Sequence, residues 1–436
     1  MLAAGMGVAN AGNYGFNVVM AFLLGPEAYG TLAALLALVL VGSVPGLALQ
    51  AVVARRTTLA GGAAWPGAGW LVGRAGLGLV LLTVLAGPGL VLFLHLDSAV
   101  PVVWLALALA PTPLLFAVQG LLQGRERFGA LAAVMVAGAA VKLAAGLALV
   151  AAGLGVSGAM AGVAAGALLA SLAGLRLAAP TTPGAVGNLM PPTPGGVDNP
   201  APASPGSATL PLRGAKRRVA GFRPARERGT GFERGWWREV GTATTGLLGL
   251  FLLANVDVLL ARHYLDRAAA GRYALGAVVA KIAFWAPQFV VTVIFPRLVG
   301  AADPRRLLAG STGLIIGFGV LLAGGLVVAD RVGLIVPVLG GGYAGLGPLL
   351  PLFAALGTAL ALVQLLLFEG IATRDRRMGR AVAVALVAEV ALVAGPLHGS
   401  VGQVAGTALG VAVALATTGW WLLRRRLSHL PAPVAP

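Results

Sequence analysis

Charged residues are scarce in this sequence, and cysteine is missing altogether. Only 10% of the 436 residues are Asp, Glu, Lys or Arg, whereas soluble globular domains carry about 25%. A chain with so few charges cannot cover a water-facing surface, so we expect most of it to lie in a membrane. The absence of cysteine excludes disulfides and thiolate metal sites.

Signatures of catalysis and of ATP use are missing as well. The four histidines, His95, His263, His398 and His429, have no metal-ligand spacing such as H-E-x-x-H. The phosphate-cradling motif G-x-x-x-x-G-K-[ST] does not occur either. The sequence therefore predicts no catalytic residue set, no metal site and no cofactor, and it indicates that the protein is not an enzyme.

Hydrophobic residues make up 58% of the chain and fall into twelve long runs. A helix that spans a bilayer needs about 20 mainly apolar residues. The runs cover residues 2–24, 29–53, 71–94, 99–122, 128–152, 156–177, 241–262, 271–296, 308–329, 346–368, 380–397 and 402–423. The predicted fold is an all-α polytopic membrane protein with about twelve transmembrane helices in two six-helix lobes.

Residues 178–240 differ from the rest because they are rich in Pro, Gly, Ser and Ala. Such a segment cannot bury enough surface to fold, so it is predicted to be a disordered linker. Anionic lipid would attract its basic second half, although we favour a solvated linker without a regulatory role. The predicted domains are residues 1–177 and 241–423 as lobes, 178–240 as linker and 424–436 as a cytoplasmic tail.

The net charge of +17 does not indicate a nucleic-acid partner, because the basic residues form short clusters between apolar runs. Most of them lie in alternate connections, starting with Arg55 and Arg56 after the second run. The opposite connections hold only Arg262, Arg267, Arg272 and Arg331. The positive-inside rule then predicts a multi-pass protein with both termini in the cytoplasm.

The two halves of the chain match each other at an offset of 241 residues. Gly30 falls on Gly271, and Arg56 falls on Arg297 at the predicted inner ends of the second and eighth runs. Both halves start on the same side, so the pattern predicts a parallel repeat about a pseudo-two-fold axis along the membrane normal. Transporters built in this way place the substrate path between the halves.

Several stretches resemble a known family. "FLLGPEAYGTLAALLAL" (22–38) is similar to the opening of bacterial polysaccharide and oligosaccharidyl-lipid flippases, members of the multidrug/oligosaccharidyl-lipid/polysaccharide exporter superfamily. "NVDVLLARHYLDRAAAGRYA" (255–274), "FPRL" (295–298) and "GGGYAGLGPLLPLFAALG" (340–357) resemble later segments of the same family. Many members carry Arg just before "LLGP", where this chain has Ala21 and Phe22.

The resemblance implies a V-shaped pair of lobes, alternating access and a location in the bacterial cytoplasmic membrane. The implied cargo is a polyprenyl-diphosphate-linked oligosaccharide that moves from the inner to the outer leaflet. Membrane lipids and polysaccharide-assembly enzymes are the implied partners.

Positive side chains in or beside the runs are candidates for binding a diphosphate. Lys142 and Lys281 lie within runs, and a lysine is a compact charge that suits phosphate. Arg56 and Arg297 lie by the inner mouth and are further candidates. Each has a plain alternative: Lys281 neutralises Asp257, Lys142 pairs inside the bundle with a carboxylate or a carbonyl, and the arginines follow the positive-inside rule.

Uncharged polar residues and carboxylates in the runs complete the candidate site. Candidates for sugar contacts are Asn10, Asn13, Asn17, Gln50 and Asn255. The first three share one helix face through their i, i+3, i+7 spacing, and hydrogen bonding between helices explains them equally well. Asp257 and Glu389 are candidates for coupling to an ion or a proton, and a static pair with Lys281 is the alternative for Asp257.

Four functions compete for this pattern. A lipid-linked oligosaccharide flippase for surface polysaccharide leads, because Lys142 and Lys281 point to an anionic cargo. A cation-coupled multidrug exporter of the same superfamily would favour acidic groups. A membrane glycopolymer ligase or polymerase would need a substantial external loop, which this sequence lacks, and a non-transporting scaffold would not explain charges within the membrane.

The distribution of basic residues yields a testable topology. Because the chain has no cysteine, single Cys substitutions can be labelled without background. Cys at Ser98, Ser157 or Ser400 is expected to react with an impermeant thiol reagent on intact cells, and Cys at Ser204 is not. Strong labelling at position 204 would contradict the predicted orientation.

Overall fold

The computed structural model describes residues 2–62, 68–179, 229–285, 304–372 and 377–428, which are almost entirely helical and include no β-strand. The helices of the first half, the N-lobe, are α1 (Leu2–Gly42), α2 (Val44–Leu59), α3 (Ala68–Phe93), α4 (Val100–Leu109), α5 (Thr112–Gly124), α6 (Phe128–Leu149) and α7 (Gly155–Ala178). Those of the second half, the C-lobe, are α8 (Gly229–Tyr264), α9 (Arg267–Trp285), α10 (Pro304–Arg331), α11 (Ile335–Leu339), α12 (Leu350–Ala372), α13 (Arg377–Ala394) and α14 (Val401–Ser428).

The helices account for the predicted membrane crossings. Eight described segments are long and apolar enough to span a membrane, and two of them, Gly5–Leu59 and Phe128–Ala178, have 55 and 51 residues. At 1.5 Å per residue, either would far exceed the ~30 Å hydrocarbon core if straight, so each contains two crossings. With the more charged α9 and α13, these segments confirm the predicted fold of about twelve transmembrane helices in two six-helix lobes.

The first two crossings are joined by a break inside α1 rather than by the loop that the sequence predicts over residues 25–28. Gly25 has φ of 70° and ψ of 172°, and Pro26 follows it. A positive φ of this kind favours glycine, and proline has no N–H to continue the helical hydrogen bonds. The helix break, defined here as residues 21–26, therefore lets the chain change direction without leaving helical structure on either side.

The chain divides by its contacts into two compact units, Met1–Ala178 with Arg238–Pro436, and Ala179–Trp237. Both lobes belong to the first unit. Most of the predicted linker, residues 180–228, lies outside the described residues. Residues 229–240, which composition assigns to the linker, are helical as the first turns of α8, because a spanning helix can extend past its apolar run into polar sequence.

The two lobes meet along α1 and α9, and the residues matched by the sequence repeat lie at their contact. A Cβ added to Gly30 would lie 2.9 Å from the backbone nitrogen of Gly271, and one added to Gly271 would collide with the carbonyl oxygen of Pro26. Glycine at both positions lets the two backbones touch. Equivalent residues of the two halves, Gly30 and Gly271, thus contact each other at the lobe interface, as expected where a pseudo-two-fold axis passes between the halves.

The third crossing of each lobe presents an apolar face to the surroundings. On α3, Leu82 and Leu85 are 64% and 79% exposed, and on α10, Val320 and Leu321 are 67% and 75% exposed. Exposed apolar side chains in such number are unfavourable in water and suit contact with lipid. Several polar residues of the crossings, among them Gln119, Asn255 and Gln364, are buried instead.

Candidate functional site

The N-lobe holds a polar cluster, defined here by Asn13, Phe16, Asn17, Tyr29 and Lys142, which we call the lysine cluster. The ammonium Nζ of Lys142 donates a hydrogen bond of 2.5 Å to Asn13 Oδ1 and lies 4.6 Å from the centre of the Phe16 ring. An amide oxygen and an aromatic face both attract a cation. No carboxylate lies within 4 Å of this ammonium in the described part of the chain, so the lysine cluster carries a net positive charge.

Glycines bring the helices of the lysine cluster together. A Cβ added to Gly166 on α7 would lie 2.9 Å from Lys142 Cβ, and one added to Gly146 on α6 would lie 2.7 Å from the Phe16 ring. Small residues permit this close approach between membrane helices. The Lys142 side chain, on the crowded α6–α7 seam, extends toward α1, where Asn13 accepts its hydrogen bond.

The other two members of the lysine cluster tie the first crossing to the second. Asn17 Nδ2 donates to the carbonyl of Asn13 at 2.8 Å, and the hydroxyl of Tyr29 donates to Asn17 Oδ1 at 3.2 Å. The alternative of hydrogen bonding between helices therefore describes Asn13 and Asn17. Asn10, the third residue of the predicted stripe, is partly exposed and makes no side-chain hydrogen bond within the described residues.

The C-lobe holds a second buried group, defined here by Asn255, Asp257, Tyr273, Lys281 and Glu389, which we call the acidic cluster. The hydroxyl of Tyr273 on α9 donates a 2.7 Å hydrogen bond to Asp257 Oδ2 on α8. The Tyr273 ring is fully buried and packs edge-on against Phe353 of α12. Tyr273 thereby fixes one oxygen of the carboxyl group.

Three oxygen atoms of the acidic cluster are buried without a hydrogen-bond donor among the described residues: Asn255 Oδ1, Asp257 Oδ1 and Glu389 Oε1. The carboxyl groups of Asp257 and Glu389 are close enough for their charges to interact. A small cavity of about 10 Å³ adjoins Asn255, Asp257 and Lys281, which is room for about one water molecule. Buried acceptors of this kind suit a proton or a cation with oxygen ligands.

The ion pair suggested for Asp257 and Lys281 does not form in this structure. Their charged groups influence each other electrostatically, but no N–O distance between them is 4 Å or shorter. The two residues lie at different depths along their helices. Tyr273 is closer than Lys281 to the start of α9, which follows the end of α8, and it occupies the hydrogen-bonding position at Asp257. Glu389 likewise does not pair with Lys142, which bonds Asn13 in the other lobe.

The remaining candidates are spread outside the two clusters. Gln50 donates a long 3.4 Å hydrogen bond to Gln123 between α2 and α5, and Arg56 is partly exposed near the end of α2. Arg297 lies outside the described residues. The structure thus groups seven of the sequence-predicted candidates into the two clusters, four in the acidic cluster and three in the lysine cluster.

One end of the bundle, the His95 end, is closed by contacts between the lobes. It carries residues 94–99, 265–266 and 332–349. His263 Nδ1 lies 2.8 Å from the carbonyl oxygen of Phe93, and its ring stacks on the Phe93 ring at 4.3 Å. Arg262 donates a long 3.4 Å hydrogen bond to the carbonyl of His95. These contacts join α8 to the segment after α3.

An ion pair between Arg267 and Asp97, with 2.8 Å between Nη2 and Oδ1, also bridges the lobes at the His95 end. The guanidinium of Arg267 lowers the pKa of the Asp97 carboxyl through its hydrogen bond and its charge. The Asp97 side chain is 81% exposed, so water and salt weaken this pair. Beneath it lies a polar cavity of about 280 Å³, lined by residues that include Glu27, Ser157 and Arg262.

Sequence reasoning missed the tyrosines. Tyr29 and Tyr273 each donate from the second crossing of a lobe to a polar residue of the first crossing, and Tyr343 donates between the lobes. The chain has only five tyrosines, so their rarity was a usable signal. A phenol that is buried in a membrane bundle needs a hydrogen-bond partner, and the partners here are the residues singled out for other reasons.

The fold matches solved transporters although the sequence does not match known proteins. No family model matches the sequence, and no curated protein matches it. A structure of the lipid II flippase MurJ in an inward closed conformation is similar with a TM-score of 0.70 at 9% identity, covering 97% of this chain and 87% of that one. An inward-facing multidrug resistance MATE family transporter of the MOP superfamily gives 0.66 at 12% identity, covering 97% and 96%.

A third similar structure is the Vibrio cholerae MATE transporter VcmN in its bent form, with a TM-score of 0.56 at 15% identity and coverage of 98% and 95%. At identities this low the likeness concerns the fold alone. It confirms the resemblance stated from the sequence at that level: this chain has the fold of these solved flippase and exporter structures.

The two tyrosine hydrogen bonds predict different losses of stability. Tyr273→Phe removes a 2.7 Å bond to a carboxyl group, and Tyr29→Phe removes a 3.2 Å bond to a neutral amide. Hydrogen bonds to charged groups contribute about 1.5–3 kcal/mol and neutral ones about 0.5–1.5 kcal/mol. We expect the larger drop in unfolding temperature for Tyr273→Phe in detergent at pH 8.

Tyr264→Phe is the matched control, because the Tyr264 hydroxyl has no hydrogen-bond partner among the described residues. It should leave the unfolding temperature unchanged. Equal losses for the variants at positions 29 and 273 would contradict a special role of the carboxyl group.

Proposed function

We propose that this protein is a membrane transporter that moves a polyprenyl-diphosphate-linked oligosaccharide across the bacterial cytoplasmic membrane by alternating access. The lysine cluster is the observation that carries the proposal. Lys142 is held in the bundle by an amide and a ring rather than by a carboxylate, so its positive charge is available to an anion. Keeping an uncompensated ammonium in a membrane bundle is costly, which indicates a functional role.

The closed His95 end supports alternating access. Contacts between the lobes at one end, made by side chains from both, form a gate that has to open for cargo to leave on that side. The positive-inside rule places the His95 end outside, since the arginine-rich connections lie at the other end. Both termini are then cytoplasmic, and the closed His95 end is the outer gate.

The acidic cluster supports coupling of transport to a proton or a cation. Asp257 and Glu389 are buried, interact through their charges and each keep an oxygen without a donor. Two carboxyl groups that interact in a low-dielectric site favour sharing one proton or one cation, because ionising both at once is costly. Lys281, near Asp257 but not paired with it, is a second candidate for meeting the diphosphate when cargo enters.

Multidrug export is the second candidate function, and the acidic cluster is the observation that favours it. Buried carboxylates attract cationic drugs as well as protons, and the fold is shared with a MATE family transporter. The two functions differ in cargo charge. Proteoliposomes that export a cationic dye but do not move a lipid-linked oligosaccharide would favour the exporter.

The lysine cluster predicts which basic residue the flippase needs. Lys142→Gln removes the positive charge and should lower transport of a fluorescent polyprenyl-diphosphate-linked oligosaccharide in proteoliposomes about tenfold, equivalent to ~1.4 kcal/mol of binding. Arg74→Gln is the matched control, because Arg74 is exposed on α3 and lies over the Trp70 ring instead of in the cluster. Transport by Lys142→Gln at the parental rate would overturn the assignment.

The acidic cluster predicts how transport responds to an imposed gradient. Asp257→Asn and Glu389→Gln should each abolish the stimulation of transport by a pH or sodium gradient, because one exchangeable charge is lost in either case. The double variant Asp257→Asn, Lys281→Gln should remain inactive although it inserts and folds. Near-normal transport by that double variant would contradict a role of these two residues in coupling and in meeting the cargo.

A further inference from the structure

The helix break in α1 is contacted by the C-lobe at three points. Tyr343, Gly342 and Gly271 reach it from two separate parts of that lobe. The N-lobe alone does not require such a fit, because Gly25 and Pro26 suffice to turn the chain. The convergence of C-lobe residues on one short segment indicates a docking site.

The first contact is a hydrogen bond to the backbone. The Tyr343 hydroxyl donates to the carbonyl oxygen of Ala21 at 3.0 Å, and Tyr343 is only 2% exposed. A helix leaves its last four carbonyls without partners of its own, and Ala21 is the first of the four residues before Gly25. The break therefore presents an acceptor that an unbroken helix would not, and a C-lobe side chain uses it.

The other two contacts are made by glycines. A Cβ added to Gly342 would lie 2.9 Å from Cδ of the Pro26 ring, and one added to Gly271 would collide with the carbonyl oxygen of Pro26. Both fits depend on the absence of a side chain. Residues 340–343, which we call the latch turn, thus cover the proline ring while Tyr343 holds the carbonyl one turn earlier.

We infer that the helix break is a docking site for the latch turn, and that Tyr343 is the latch that keeps the His95 end closed. The other described hydrogen bonds that join the lobes at this end are a long bond from Arg262, a contact of the His263 ring and an ion pair with an exposed carboxylate. The Tyr343 bond is buried on both sides, so its loss leaves the Ala21 carbonyl unsatisfied as the lobes separate. The inference concerns the balance between closed and open states and holds for any cargo, so its test needs none.

A cysteine reporter on α9 can detect opening of the His95 end. Ala274 is 3% exposed and lies three residues after Gly271, on the helix face that meets α1. Because the chain has no other cysteine, Ala274→Cys in the purified protein reacts with a water-soluble maleimide only at this site. Added Tyr343→Phe should speed this labelling roughly five- to tenfold, as expected from the loss of one buried hydrogen bond.

A neighbouring pair of glycines provides an independent variant and its control. Gly342→Ala places a methyl against Pro26 and should also speed labelling, whereas Gly341→Ala, whose added Cβ meets nothing within 4 Å, should not. Tyr264→Phe is the control for Tyr343→Phe. Unchanged labelling in both test variants, or an equal rise in the controls, would overturn the inference, and unfolding temperatures measured in parallel show whether each variant is folded.

Discussion

The cost of leaving a polar group unsatisfied in hydrocarbon is the constraint on which this structure depends. The hydrocarbon around a membrane bundle offers no hydrogen bonds, so each buried polar side chain needs a partner from the protein, a trapped water molecule or a ligand. Lys142, Asn13, Asn17 and Tyr29 satisfy each other within the N-lobe. Where partners are missing, as at Glu389 Oε1 and Asp257 Oδ1, the structure indicates a place for an exchangeable ligand.

Each lobe contains a tyrosine hydrogen bond of the same kind, but the acceptors differ in charge. In each, a tyrosine on the second crossing donates to a polar residue on the first, Tyr29 to Asn17 and Tyr273 to Asp257. The acceptor is a neutral amide in the N-lobe and a carboxyl group in the C-lobe. With Lys142 in the N-lobe and Asp257 and Glu389 in the C-lobe, the N-lobe cluster bears a cation and the C-lobe cluster bears two acids. Such a division fits a transporter in which one lobe meets an anionic cargo and the other an ion.

Much of the fold could be predicted because the order of apolar runs and charged residues along the sequence determines the membrane crossings. Twelve crossings, two lobes and the repeat that brings Gly30 to Gly271 followed from run length and offset. Partnerships between distant residues did not follow in the same way. The sequence suggested that Asp257 faces Lys281, but a difference in depth along α8 and α9 placed Tyr273 there instead. Tyr273 and Lys281 are about two helical turns apart on α9. Deciding which of them meets Asp257 needs the rotation and depth of both helices, which composition does not encode.

The break at Gly25 is a second case in which contacts between distant parts of the chain could not be predicted from the sequence. The sequence predicts a loop over residues 25–28, between the first two apolar runs, whereas the chain stays helical on both sides of Gly25. What the sequence does not display is that the C-lobe seats against this point through Gly271 and Gly342. The segment that breaks the first helix is thereby also the segment that the other lobe covers.

The contacts at the His95 end are individually weak, and the proposed transport cycle requires this. A gate held by 5.5 kcal/mol more than its open form would be open only about once in 10⁴ molecules. The exposed Arg267–Asp97 pair, the 3.4 Å bond from Arg262 and the glycine contacts with Pro26 each contribute little or depend on shape alone. The single buried hydroxyl of Tyr343 is then enough to decide whether the closed or the open state of the His95 end predominates. Binding of cargo or of an ion can shift an equilibrium only by its difference in affinity for the two states. A gate whose contacts each contribute a small free energy is therefore one that such binding can open.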